Sequence, residues 1–251
     1  MKIVVCYKNV PDEQSISSRG DRALDFSGAA YGIGQYDLNA VQAAMDIAAC
    51  CEAEVVALTA SGDIIDNSKL RKAILSRGPA KMVGVKAAGF DSCGSYVTAS
   101  ALAEAIRRLG DVDLVLFGEG SGDMYAQVTG SLTGSLLGWP TLNAVSSISV
   151  DGGNAKVTRS LEHEDEHYSV TLPAVFSVTA DINRPKIPSM KEILGAGKKP
   201  VEVIEDISPV ADGTSTVSVL APDKCERKNI IFEALDDNAA ETIAAQIKKV
   251  I

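Results

Sequence analysis

The sequence predicts an α/β fold: a mostly parallel, twisted sheet with helices on both faces, extended by antiparallel strands and finished by a C-terminal arm. Three observations carry this prediction. Short apolar runs of strand length alternate with helical patterns through the first 140 residues, the order of parallel strands joined by right-handed crossovers. The runs are continuously apolar, as in strands covered on both faces. After Pro140 the alternation stops, and strands follow one another across turn residues.

Taken in order, "KIVVCYK" (Lys2–Lys8), "EVVALTA" (Glu54–Ala60) and "DLVLFG" (Asp113–Gly118) read as buried strands, with a weaker one at Lys81–Val85. The Ala-rich segment 37–51 reads as a helix with Asp37 as N-cap. Segment 66–78 reads as a helix stopped by Gly78-Pro79. Segment 95–110 starts on Ser95, carries Arg107 and Arg108 in its last turn and ends on Gly110. Segment 123–140 starts at Asp123 and closes on Gly138 and Pro140; its glycines at 130, 134 and 138 would let the sheet approach one face closely. Asp151-Gly152-Gly153 then turns a hairpin, followed by "HYSVTLPAVFSVTA", either in the same sheet or in a small one beside it. From Asp181 the chain loosens: residues 181–200 hold three of the nine prolines and two glycines. Residues 205–228 have no helical period, and a short helix spans Asp237–Val250. This divides the chain into an α/β unit, 1–180, and an arm, 181–251, too poor in apolar residues to pack on itself and expected to wrap a partner.

Composition narrows the function. The 251 residues carry 24 basic and 33 acidic side chains, a net charge of -9, which argues against a nucleic-acid binder. No apolar stretch approaches the ~20 residues of a membrane span, and the opening run is too short for a secretory signal, so a cytoplasmic location is expected. Cys6, Cys50, Cys51, Cys93 and Cys225 are odd in number and lack a C-x-x-C pair, which reads as reduced thiols acting as small buried hydrophobes.

"HEDEH", residues 163–167, has the H-E-x-x-H pattern of zinc hydrolases. That motif needs a helix, and the flanks alternate with a period of two. The segment instead reads as a hairpin tip over about Glu162–Glu166. On an extended chain His163 and His167 stand roughly 13 Å apart at about 3.3 Å per residue, too far for one metal. The better candidate is "LVLFGEGSGDMYAQVTG", 114–130: a strand ends in Gly118-Glu119-Gly120-Ser121-Gly122 and a helix follows. Ligands of open α/β sheets sit at the carboxyl ends of strands. Glycines let backbone N–H groups turn to an anion, and a helix N-terminus adds positive potential, so a phosphate could sit over 118–124 with Ser121, Gln127 and Thr129 nearby. Glu119 and Asp123 would repel a phosphate unless they point away or bind ribose hydroxyls. No Walker motif and no first-strand dinucleotide fingerprint is present.

These segments resemble the β subunit of electron-transfer flavoproteins. "KIVVCYKNVPD", "GQYDLNAVQAA", "LSRGP", "DLVLFGEGSGD", Trp139-Pro140 and "LPAVFSVTADINRPKIPSMKEILGAGKKP" carry the resemblance, closest to the Fix-type branch associated with anaerobic carnitine and enoyl-CoA reduction. The resemblance implies a Rossmann-like, adenine-nucleotide-binding fold and a heterodimer with an FAD-bearing α subunit. It implies a nucleotide on this chain, FAD or AMP, and electron relay between a dehydrogenase of the acyl-CoA type or NADH and an acceptor such as ferredoxin, with electron bifurcation if the nucleotide is FAD. By position, nucleotide contacts fall on Cys6, on Gly34, Gln35, Tyr36 and Asp37, on Ala60, and on Gly118, Glu119, Gly120, Ser121, Gly122, Asp123, Met124, Tyr125, Ala126, Gln127, Val128 and Thr129. Many relatives place a small polar residue after the loop Asp in a D-x-x-[small polar] spacing; here Tyr125 or Gln127 stands in that region. A recognition loop for the partner dehydrogenase falls on Pro188, Met190, Ile193 and Leu194, with Met190 as its apolar anchor. A regulatory nucleotide binder of the universal-stress type would share the sheet but end soon after its fifth strand.

Overall fold

The computed structural model describes residues 1–223, 229–231 and 238–249. Lys2–Cys6 (β1) leads through Gln35–Cys51 (α1) to Glu54–Ser61 (β2), then through Ser68–Leu75 (α2) to Lys81–Lys86 (β3). Ser95–Leu109 (α3) returns the chain to Leu114–Gly118 (β4), and Thr129–Leu137 (α4) leads to Thr141–Asp151 (β5). Asn154–Ser160 (β6), Asp165–Thr171 (β7) and Ala174–Val178 (β8) follow, then Met190–Ala196 (α5), Val201–Ile204 (β9) and Ala239–Ile247 (α6). The main sheet is nine-stranded, in the order β7-β6-β5-β8-β4-β1-β2-β3-β9. All neighbours from β5 to β9 across the sheet are parallel; β6 and β7 are antiparallel. The α/β expectation holds, and the later strands extend the same sheet.

The period of two along β1 explains the two-faced core. Ile3 and Val5 point to the side covered by α1 and α2, among Ala40, Ala44, Ile74 and Leu75. Val4 and Cys6 point to the other side, among Val97, Leu102 and Ile106 of α3. All of Ile3, Val4 and Val5 are fully enclosed, and burying each such side chain stabilises the fold by about 1.5–3 kcal/mol before entropy is counted. The glycines of α4 work as their spacing predicts: a β-carbon at Gly130 would run into Ser177 on β8, and one at Gly134 into Thr141 on β5. No helix among the described residues is long and apolar enough to cross a membrane.

Several boundaries differ from expectation. Helix α1 starts at Gln35 with Gly34 as its cap, so Asp37 is not the N-cap; it lies inside the first turn, buried. Helix α2 is shorter than 66–78 and is capped by Asn67, which accepts from the N–H groups of Lys69 and Leu70. Helix α4 starts at Thr129 rather than 123, because Tyr125 and Gln127 adopt φ of 44° and 58°, outside helical space. Cys50 is exposed rather than buried. Cys225, Asp237 and Val250 lie outside the described residues, as does part of the arm. Residues 163–167 form a hairpin tip and the start of β7: Leu161 N–H donates to Glu164 O, and His167 pairs with Thr158 across the ladder. The helix that H-E-x-x-H requires is replaced by a strand.

The stretch after Asp181 contributes more order than its composition suggests. Asn39 Nδ2 of α1 donates to Ala180 O and Asn183 O at 3.1 and 2.9 Å, and Asn183 Nδ2 returns a bond to Asn39 O at 3.0 Å. Ser189 caps α5 in a reciprocal box with Glu192. Lys199 Nζ donates to the carbonyls of Leu75, Gly78 and Pro79 at 2.9, 3.0 and 2.7 Å, closing the end of α2, and β9 then pairs with β3. Beyond β9 the chain turns back along its own body: Asp206 meets Arg108, Asp212 accepts from Gly94 N–H, and Asp223 pairs with Arg22.

Candidate functional site

The strand order reverses between β1 and β4. From β1 the chain builds outward through β2 to β3, and α3 then carries it back to β4 on the other side of β1. The carboxyl ends of β1 and β4 therefore face the crevice where open α/β sheets receive ligands. Cys6 ends β1, Gly118 ends β4, and the first turn of α1 lies against Gly118 and reaches the Lys8 amide through Asp37.

Contact at this junction is close. A β-carbon on Gly118 would lie 2.6 Å from the Tyr36 carbonyl carbon and 2.7 Å from Asp37 N, so only glycine lets β4 meet α1 here. Asp37 Oδ2 accepts from Lys8 N–H at 2.7 Å, and the Gly118 N–H also donates to this carboxyl group. Lys8 O accepts from Gly34 N–H at 2.9 Å. The Lys8 side chain runs the other way: its Nζ lies 2.6 Å from Asp123 Oδ2 in the loop after β4. Lys8 thus ties β1, the cap of α1 and the glycine loop together. Sequence reasoning missed it, since a lysine at a strand end carries no local signal.

Burial pushes the Asp37 carboxyl up to about 7, against the opposing pull of the Lys8 and Gly118 N–H groups. Burial, followed by the Asp37 charge, raises the Cys6 thiol well above its ordinary value, so Cys6 offers backbone and bulk rather than a thiolate. Burial also works against the Asp123 carboxylate, but the Lys8 ammonium and Ser121 more than offset it and hold it below the usual range. Burial raises Glu119, with the Tyr125 hydroxyl partly offsetting it and the Asp181 charge adding to it. Both acidic groups of the loop therefore have partners of their own, Asp123 on Lys8 and Glu119 on Tyr125.

Above the junction, residues 119–128 form an open loop. Tyr125 N–H donates to Ser121 O at 3.0 Å, and Met124 N–H to Asp123 Oδ1 at 2.8 Å. Ala126, Gln127 and Val128 are exposed and lead into α4, whose cap Val128 supplies no side-chain hydrogen bond. The first N–H groups of α4, from Thr129 onward, are left for water or an anion. Asn9 Oδ1, on the residue after Lys8, is buried and has no hydrogen-bond partner among the described residues.

The structure thus brings Cys6, Gly34, Tyr36, Asp37 and the 118–125 loop into one group. Gln35 is exposed on the first turn of α1. Ala60 sits one strand away, at the end of β2 on the far side of β1. Pro188, Met190, Ile193 and Leu194 are elsewhere, on and before α5; Met190 and Leu194 are 72% and 73% exposed, an unusual outlay of apolar surface on a short helix. Two clefts, of about 290 Å³ between α1 and β5 and about 390 Å³ beside α3 and α4, share no lining residue with the junction.

The family comparison fits this arrangement. A family model described as electron transfer flavoprotein domain matches residues 23–209, a span that takes in α1, the glycine loop, α5 and β9. With that match covering most of the chain, this protein belongs to the electron transfer flavoprotein domain family.

Proposed function

We propose that the chain is the β subunit of a heterodimeric electron-transfer flavoprotein, holding an adenine nucleotide, FAD or AMP, at the β1–β4 junction. The observation that supports this best is the meeting of Lys8, Asp37 and Gly118 where the strand order reverses, beneath an uncapped helix start, in a chain of this family. The residues suit the ligand. The N–H groups of the loop and of the first turn of α4 are donors for phosphate. Lys8 is a half-exposed cation at the mouth, with ammonium protons beyond the one given to Asp123. Asp37 takes no part in chemistry: it holds the ends of β1 and β4 at fixed spacing. FAD, when bound, supplies the redox chemistry, and AMP supplies none; the protein's share is to bind, orient and exclude water.

In the fuller form of the reading, the chain is of the Fix type and cytoplasmic. Residues 181–251 form the recognition loop and a partner-wrapping arm, and the exposed Met190, Ile193 and Leu194 engage a dehydrogenase of the acyl-CoA type. Electrons pass from that dehydrogenase or NADH to an acceptor such as ferredoxin, with bifurcation if the junction carries FAD. The test is to co-express the chain with an FAD-binding α subunit, purify the complex, denature it and quantify nucleotides. Two FAD and no AMP per heterodimer mark a bifurcating protein. One FAD and one AMP mark a one-flavin carrier. A single FAD with no second adenine nucleotide refutes nucleotide binding at this junction.

A further inference from the structure

Tyr125 is oddly placed. It has φ of 44°, the left-handed region that side chains other than glycine and asparagine seldom adopt. The residue is 44% exposed, so burial does not compensate the backbone. Gly120 makes room for it: a β-carbon there would lie 2.6 Å from Tyr125 Cδ2. Ser121 O holds its N–H at 3.0 Å, and its hydroxyl meets Glu119. The ring stands 5.4 Å from that of Tyr36, tilted by 45°, so the two rings do not cover each other's faces. Met124 and Val128, on either side, are 58% and 42% exposed. A strained residue that holds an exposed ring at the mouth of a crevice points to a ligand, because strain of this kind persists where the surroundings impose it for use.

We propose that Tyr125, backed by Tyr36, is a stacking ledge for a flat heteroaromatic ring of the ligand at the β1–β4 junction. The inference rests on the nucleotide reading above and adds to it the residue that selects for an aromatic ring. The ledge complements the donors of the loop: N–H groups and Lys8 take the phosphate end, and the tyrosine face takes the ring. Adenine and isoalloxazine share this chemistry, and AMP and FMN, which each carry one of them, tell the two apart.

The test uses the nucleotide-depleted full chain as wild type, Tyr125→Phe and Tyr125→Asn, titrated with AMP, FMN and FAD. Asparagine tolerates the left-handed backbone, so Y125N removes the ring and spares the loop; unchanged far-ultraviolet circular dichroism checks this, and Y125G replaces it if Y125N does not fold. Y125F is expected to bind as wild type does, and Y125N to bind about tenfold or more weakly. Loss for AMP and FAD together places adenine on the ledge. Loss for FMN and FAD with AMP unchanged places isoalloxazine there. Wild-type binding with Y125N unchanged overturns the ledge and leaves the nucleotide site standing. Failure of wild type to bind any of the three overturns the nucleotide reading, and the ledge with it.

Discussion

Asp37→Asn is the most informative single change in the junction. The carboxyl is 6% exposed and accepts from the N–H groups of Lys8 and Gly118. Burial dominates nonetheless and pushes it up to about 7. In an unfolded chain an aspartate titrates near ~3.9, so the difference corresponds to on the order of 4 kcal/mol. The sign follows from proton binding. Between about pH 4 and pH 7 the folded chain keeps a proton that the unfolded chain has lost. Stability therefore falls as pH rises through that window and levels off above it. Asparagine has the shape of the protonated acid and cannot ionise. The variant is expected to match wild type below about pH 4 within the ~1 kcal/mol of one hydrogen bond, to lead it by about 1.5 kcal/mol at pH 5, and to exceed it by up to about 4 kcal/mol at pH 8. Urea unfolding at half-unit pH steps measures this as the gap between two midpoint curves. Parallel curves from pH 4.5 to pH 8 would refute the reasoning: Asp37 would then be stably ionised by its two N–H donors, with burial the minor influence.

Three other substitutions test separate parts of the fold. Gly118→Ala places a β-carbon 2.6 Å from backbone that cannot step aside; a loss of about 1–3 kcal/mol is expected, read as a lower melting temperature of about 2–4 °C per kcal/mol. Lys199→Met strips three carbonyls at the end of α2 of their shared donor and should cost about 1–3 kcal/mol, with faster amide exchange in residues 75–79. Met190→Ala removes a side chain that is 72% exposed, so melting temperature and nucleotide content should stay within error while, on the proposed docking role, electron exchange with the proposed dehydrogenase partner slows; an unchanged rate removes that role from Met190.

The parts of the fold legible in the sequence were those with a local cause. The run Ile3-Val4-Val5-Cys6 is apolar on both faces, and it is buried on both. The glycines at 130 and 134 announced close packing, and they meet Ser177 and Thr141. Three features had no local cause. Asp37 precedes an apolar helical run as an N-cap would, yet its partner is the amide of Lys8, 29 residues away. The start of α4 was misplaced because a tyrosine and a glutamine, rather than glycines, take the left-handed turns. Strand β9 has four residues in a proline- and glycine-rich stretch, and pairing with β3 makes it a strand. At the junction, Gly118 and the loop were visible as a strand end rich in glycine. Lys8 was not, because its ion pair spans 115 residues of sequence.

The segment around Met190 is pinned at both ends: by the Asn39–Asn183 exchange before it, and by Lys199 and the β9 ladder after it. Its apolar tips are therefore displayed on a taut span. A linear peptide of residues 184–199 would carry the same side chains, but it would first have to give up about 1–2 kcal/mol of backbone freedom per residue to match that shape. Such a peptide should compete poorly with the intact protein for any shared target, whereas a version stapled between its ends should recover much of the difference.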